Sequence, residues 1–363
     1  MWELNESTHF LNDLNYTFGN LMLCTATDSW PSITVEIVVY IFILVSSLAG
    51  NVLVVVIFFR NKTFTETTVN YFIMNMSVSD LMVPAISLPV WIIITYDKSL
   101  LLSKGAFSTI VCGVSWVVWG VSVLVSLFSM TALAADRFRA VLYPFKPALF
   151  SQRKLCVTIA AMWVSSIAYF VYYAIFVLPI DASDTFCEDI EWTSQKFLLQ
   201  MIFFALICFS VVVVTIFYSK LTIFFYRQKN SLHLASEEVK KRAKRNRKIT
   251  TMLIIIVILF YVVWIPFYVM MFLSLTNILF PCWFFWVTNY ILPILHPAIN
   301  PLIYFVFNEK YRQGLKEIFL RGVRVRNKES NNDFLPNVAP QSGITLEHGK
   351  VNEAMENIEL QEQ

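Results

Sequence analysis

Charge is scarce in this sequence. Asp, Glu, Lys and Arg make up 15% of its 363 residues, where a typical soluble domain has roughly 25%. With 57% hydrophobic residues, that shortage excludes an ordinary soluble enzyme and a disordered chain. Cysteine is sparse too, and six in 363 residues do not build a small disulfide scaffold. No Lys or Arg and no apolar run precede Ile33, so no cleavable signal peptide is visible and the first apolar run is expected to target the chain. Of the four histidines, His9, His233 and His348 fall outside the apolar runs, and His296 stands alone within one. There is no metal cluster, no second buried carboxylate and no nucleophile–base pair at usable spacing, which argues against an intramembrane enzyme. There is no internal repeat either, which argues against a repeat-built transporter or channel.

What the chain has is long apolar runs. A bilayer-spanning helix needs about 20 mostly apolar residues in a row. Seven spans are predicted, at 34–60, 69–96, 108–141, 155–179, 197–226, 248–275 and 283–307. The expected fold is therefore an all-α membrane protein, a seven-transmembrane helix bundle. Residues 1–33 form an N-terminal segment, 34–307 the bundle, 308–320 a short amphipathic surface helix and 321–363 a disordered tail. Lys98, Lys104 and Lys196 are the only basic residues before span 1 and after spans 2, 4 and 6; the other 25 of the 28 lie on the opposite side. This asymmetry predicts an outside N-terminus and an inside C-terminus. The sequons at Asn5 and Asn15 fall in the outside segment, so both are expected to be glycosylated. Cys24, Cys112, Cys187 and Cys282 all map to the outer, oxidising side.

Polar residues inside spans are expensive, about 2.5–3.5 kcal/mol for a central Asp. Asp80 sits mid-span, with Asn51, Ser126, His296 and Asn300 at similar depth. They form either a hydrogen-bonded glue between helices or a cation or proton site centred on Asp80. Cys112 and Arg137 are roughly 37 Å apart along one helix at ~1.5 Å per residue, so they mark opposite ends of span 3. Asp136-Arg137-Phe138 is thus a charge pair at the inner mouth, and Cys187 can reach Cys112. Pro266 in span 6, and Pro293, Pro297 and Pro301 in span 7, each remove a backbone hydrogen bond and suggest a hinge.

Taken in order, these features resemble the rhodopsin-like (class A) G-protein-coupled receptors over about residues 30–320. The carrying residues are Gly50-Asn51, the Asn75–Leu81 stretch, Cys112, Asp136-Arg137-Phe138, Trp163, Cys187, Tyr218, Trp264-Ile265-Pro266 and Asn300-Pro301-Leu302-Ile303-Tyr304. The resemblance implies a plasma-membrane receptor that activates a heterotrimeric G protein, with arrestin and receptor kinases as further partners. Arg137 would engage the G protein after the inner half of span 6 swings out. Asp136, Tyr218, Pro266, Pro301 and Tyr304 would support that switch. Trp264 would sense ligand, with Leu127 and Phe260 packed beneath it. Asp80, Ser126 and Asn300 would hold an allosteric sodium ion, the one cofactor-like group implied. A Cys112–Cys187 disulfide is expected. Cys24 and Cys282 either form a second or remain free thiols.

The sequence also departs from the family pattern. Ser210 replaces a span 5 proline, which puts the usual bulge there in doubt. His296 takes a position often held by Asn; a structural, hydrogen-bonded His is favoured over a competitor for sodium or a pH sensor. Asn246 replaces the acid that locks the Arg in some members. Thr250 is expected to hold Arg137 instead, weakly, so that basal signalling follows. No cysteine follows Cys282, so the surface helix is expected to attach through Phe319, Leu320 and the basic run from Arg321 to Lys328 against anionic lipid.

Trp119 stands where amine receptors have Asp, and Ile294 where opsins have Lys, which sets aside both ligand classes. The upper cavity is expected to be lined by Trp91, Trp116, Trp119, Phe267, Tyr268, Met271, Trp286 and Tyr290, beneath an acidic loop with Glu188 and Asp189. An aromatic pit under acidic charge suits a basic peptide. The loop around Cys187 and the run from Asp136 to Phe145 resemble neuropeptide receptors of the RFamide and neuropeptide Y-like group. The expected ligand is an amidated, Arg-containing neuropeptide; the alternative is a lipid or other small non-amine ligand. The basic run from Lys240 to Lys248 is read as a membrane anchor and G-protein contact, not a nucleic-acid site.

Overall fold

The apolar runs become helices because lipid offers backbone groups no hydrogen-bond partner. The computed structural model describes residues 32–61, 64, 67–96, 106–177, 194–231, 236–274, 281–318 and 320. Among these, seven helices are long and apolar enough to cross a membrane, and no residue is in a strand. Span 1 is Ile33–Arg60 and span 2 is Thr68–Tyr96. Span 3 is Ala106–Leu142 and span 4 is Gln152–Val177. Span 5 is Ser194–Ser231 and span 6 is Glu237–Ser274. Span 7 runs through Cys282–Trp286, Val287–Ile291 and Leu292–Phe307.

The pattern of burial is the reverse of a water-soluble bundle. Phe42, Phe59, Val164 and Phe209 stand outward and exposed, a surface that only lipid can cover without cost. Asn51, Asp80, Ser126 and Asn300 are buried at the centre. Span 3 is the most deeply buried helix and span 4 the least. Small residues allow close crossings. A Cβ on Gly120 would lie 2.1 Å from the Phe170 ring, and one on Gly50 would lie 2.8 Å from Pro301. Asn75 ties three spans together, donating to Ser129 Oγ (2.9 Å) and accepting from Trp163 Nε1 (2.9 Å).

Hydropathy misplaced two helix ends. Span 5 continues to Ser231, and span 6 begins at Glu237 rather than 248. Lys, Arg, Glu and Ala are strong helix formers in water as well, so the lipid boundary is not the helix boundary. Glu237 and Glu238 favour the helix start through its dipole, and Lys240 pairs with Glu237 at 2.9 Å. Span 5 is unbroken at Ser210, and so is span 6 at Pro266. The wide turns lie elsewhere, at Val83–Ser87 around Pro84 and at Val287–Ile291 just before Pro293, where a proline ring needs room.

Residues 309–318 are helical, after an Asn308 whose Oδ1 accepts from Lys310 N at 3.1 Å. Tyr311 is fully buried between Phe64 (4.7 Å) and Tyr304 (6.0 Å). Gly314 faces Ile57, where a Cβ would come within 2.5 Å. The chain up to Lys316 is one compact unit. The unit from Glu317 onward is described only at residues 317, 318 and 320. The sequons at Asn5 and Asn15, Cys24, Phe319 and the tail from 321 lie outside the described residues.

Candidate functional site

The indole of Trp264 is the hub of an aromatic column. Trp91 on span 2 meets Trp116 (6.1 Å) and Trp119 (6.3 Å) on span 3, and those two meet each other edge-on at 5.4 Å. Trp119 meets Trp264 at 5.5 Å. Around Trp264 lie Phe267 (5.7 Å), Tyr268 (6.2 Å) and Phe203 (6.4 Å). Edge-to-face pairs of this kind contribute about 0.5–1.5 kcal/mol each beyond area burial. Trp119 Nε1, Trp264 Nε1 and Tyr268 OH are all buried without a hydrogen-bond partner. The column therefore presents two indole N–H groups, which can only donate, and one phenol, which donates or accepts.

Five of the expected pit residues, Trp91, Trp116, Trp119, Phe267 and Tyr268, come together here. Trp286 and Tyr290 instead lie beside Tyr40 of span 1. Met271 falls on the span 6 helix, and its side chain lies outside the described residues, as do Glu188 and Asp189. Phe203 and Phe204 of span 5 join the column through Tyr268, at 6.3 and 5.0 Å. Sequence reading missed them, although both lie on an apolar helix at the same level as the pit.

Below Trp264 the column continues into a polar core. Phe260 meets Trp264 at 5.9 Å and His296 at 5.0 Å. His296 Nε2 lies 3.3 Å from Asn300 Nδ2, which donates to Asp80 Oδ2 at 2.8 Å. Asp80 Oδ1 accepts from Ser126 (3.2 Å) and Ser122 (3.5 Å). Ser122 was not foreseen, though it sits one helical turn before Ser126 on the same face. Asn51 stands one step away, donating to the Pro297 carbonyl at 2.8 Å. The freed carbonyl of a proline-containing helix is thus met by a neighbouring span. Asp80 is fully buried, and among the described residues no Lys or Arg pairs with it. A carboxylate with hydroxyl oxygens in a buried pocket is the donor chemistry that hard cations take, so these residues fit a sodium ion.

The basic ends of the spans carry the switch residues. Arg137 turns back on its neighbour, with Nη2 2.5 Å and Nε 3.1 Å from Asp136 Oδ2. The expected bond from Thr250 to Arg137 is not there: Thr250 Oγ1 is buried without a partner. Asp136 satisfies the guanidinium locally, and a neutral hydroxyl cannot compete with a charged bond. Eleven residues into span 6, Lys248 forms an ion pair with Glu309, with Arg312 4.0 Å from the same carboxylate. The ammonium holds the Glu309 carboxyl below the usual carboxylate range. No sequence signal marked this pair.

Leu127, Tyr218 and Tyr304 are all buried, and Pro301 packs over Gly50. At Ser210, where proline was expected from the resemblance, a hydroxyl meets Thr131 Oγ1 of span 3 at 2.6 Å. Phe145, in the segment between spans 3 and 4, is fully exposed. Cys112 is disulfide-bonded; its expected partner Cys187 lies outside the described residues, and so does the side chain of Cys282. Cys156 and Cys208 are free.

Comparison with known proteins agrees with this geometry. The sequence model of the family "7 transmembrane receptor (rhodopsin family)" matches residues 50–304. The neuropeptide FF receptor 2 of Mus musculus is 28% identical over 347 residues, covering 88% of this chain and 80% of that protein. The neuropeptide FF receptor 1 of Homo sapiens is 33% identical over 165 residues, 45% of this chain and 36% of that protein. The RYamide receptor of Drosophila melanogaster is 27% identical over 311 residues, 81% of this chain and 66% of that protein.

Proposed function

This chain belongs to the rhodopsin family of seven-transmembrane receptors, and from that premise we propose that it is a plasma-membrane receptor for a basic, amidated neuropeptide. Membership makes it a multi-pass G-protein-coupled signalling receptor and not an enzyme. In our reading the N-terminus faces outward and the basic ends of the spans face the cytoplasm.

The observation that carries the ligand reading is the aromatic column with buried, unpartnered donors at Trp119, Trp264 and Tyr268. A burial this apolar suits an aromatic side chain, and the donors call for carbonyl oxygens. The end of an amidated peptide supplies both and adds no carboxylate charge. The acidic residues Glu188 and Asp189 then attract the peptide's basic side chain. Peptide receptors among the relatives support the same class. The test is a screen of amidated peptides and their free-acid forms for nucleotide exchange on a G protein. The amidated forms are expected to be at least tenfold more potent. Equal potency, or a response to lipids alone, overturns the reading.

Ligand pressure on Trp264 would reach Asp80 through Phe260, His296 and Asn300. Asp80, Ser122, Ser126 and Asn300 would hold sodium in the resting state. Arg137, freed from Asp136, would meet the G protein as the inner half of span 6 moves out, supported by Tyr218 and Tyr304. The exposed Phe145 ring offers the same partner an apolar anchor. Arrestin and receptor kinases would use this face after activation.

A further inference from the structure

A cavity of about 310 Å³ lies at the basic end of span 4, lined by Leu149, Phe150, Arg153, Lys154, Val157 and Thr158. It belongs neither to the aromatic column nor to the Asp80 core. Its floor is fixed, because Phe150 packs edge-on against Phe72 of span 2 at 5.4 Å. Its two cations are exposed, and among the described residues neither pairs with a carboxylate. They sit in the first turn of span 4, where Ser151 Oγ accepts from Lys154 N at 3.4 Å. The helix dipole there adds to the positive potential. One turn on, the lining becomes apolar with Val157, 62% exposed, and the outward flank continues through Val164 at 67%.

We infer that this cavity binds one anionic phospholipid of the cytoplasmic leaflet. Its headgroup phosphate would lie between Arg153 and Lys154, and an acyl chain would follow Leu149 and Val157. Basic pockets at the cytoplasmic ends of transmembrane helices are suited to such headgroups. The order of the lining, two cations and then an apolar flank, matches the order of a lipid from head to tail. A loop of the G protein is the weaker occupant, because the cavity opens on the outward flank of span 4 and Arg137 lies on span 3. The inference rests on the basic ends facing the cytoplasm, which epitope accessibility on intact cells decides independently.

The test uses the full-length receptor in detergent, following its thermal unfolding midpoint. Dioctanoyl phosphatidylserine, dioctanoyl phosphatidylcholine and inorganic phosphate are titrated separately. The serine lipid is expected to raise the midpoint saturably, and the other two are not. Arg153→Gln with Lys154→Gln should weaken the serine-lipid response about 10- to 30-fold. Val157→Trp, which fills the cavity but keeps both charges, should weaken it as well. Lys220→Gln with Arg227→Gln, the same charge loss at exposed positions on span 5, should leave it unchanged. An equal response to phosphatidylcholine, or an equal loss in the Lys220 and Arg227 variant, overturns the site. An equal response to inorganic phosphate overturns the lipid as occupant. A Val157→Trp variant with the wild-type response overturns the cavity as its location.

Discussion

The His296 ring meets the Phe260 ring edge-on, with 5.0 Å between centroids. Through its Nε2 the same imidazole also reaches Asn300, 3.3 Å away. One side chain therefore joins the aromatic column to the carboxylate core, and the two could not move independently without breaking one of its contacts.

If that junction carries the signal, cutting it should uncouple binding from response. His296→Leu keeps an apolar face for Phe260 and loses the bond to Asn300. We expect agonist affinity within about threefold of wild type and agonist-driven nucleotide exchange reduced about tenfold, the equivalent of ~1.4 kcal/mol of coupling. Radioligand competition and nucleotide exchange on the same membranes check this; losses of equal size in both would place His296 in ligand binding instead.

Asp80→Asn keeps the shape of the core and removes its charge. Wild-type receptor should bind agonist more weakly in sodium chloride than in choline chloride, since a sodium ion at Asp80 favours the resting state. The variant should show no difference between the two salts. A sodium effect that survives the substitution would remove Asp80 as the ion site.

The Lys248–Glu309 pair restrains the basic half of span 6 while Thr250 offers nothing to Arg137. Both partners are exposed, so the restraint is small, as surface pairs usually are. Glu309→Gln should raise basal nucleotide exchange two- to five-fold. The charge exchange Lys248→Glu with Glu309→Lys should bring it back toward wild type. Because the Glu309 carboxyl is held low, the pair is intact at neutral pH and is lost only as the pH falls through that lowered value. Basal exchange in isolated membranes should therefore be flat around neutrality.

Gly120 exists to admit Phe170. Gly120→Ala puts a methyl where the ring lies, an overpacking that costs roughly 1–3 kcal/mol. The thermal midpoint of the purified receptor should drop by several degrees, and Phe170→Leu in the same chain should recover most of the loss. Absence of recovery would mean that the strain is taken up by the backbone.

Much of this was legible in the sequence because lipid imposes strong rules. Seven apolar runs, the charge asymmetry of their connections and the polar residues Asp80, Ser126 and Asn300 placed the bundle and its core. The misses share a physical cause. Hydropathy reports where lipid ends, so the aqueous extension of span 6 back to Glu237 was invisible to it. The wide turn at Val83–Ser87 follows from Pro84, which looked like one apolar residue among many. The Lys248–Glu309 pair joins residues 61 positions apart, and nothing local to either predicts it. Phe203 acquires its role only from which rings the crossing helices bring within 6.4 Å; His296 was legible as a hydrogen-bonded core histidine, but its contact with Phe260 arises in the same non-local way.

Span 6 is one unbroken rod of 38 residues, from Glu237 to Ser274. About 29 of them precede Pro266, a length of roughly 43 Å at 1.5 Å per residue. Were the helix to pivot at that proline, a tilt of about 10° would carry its far end ~8 Å. Trp264 stands only two residues from the pivot. The helix would then behave as an unequal lever, and its mechanical gain would be set by how far the aqueous extension reaches. Shortening that extension would reduce the stroke delivered to the G protein without altering what the ligand touches.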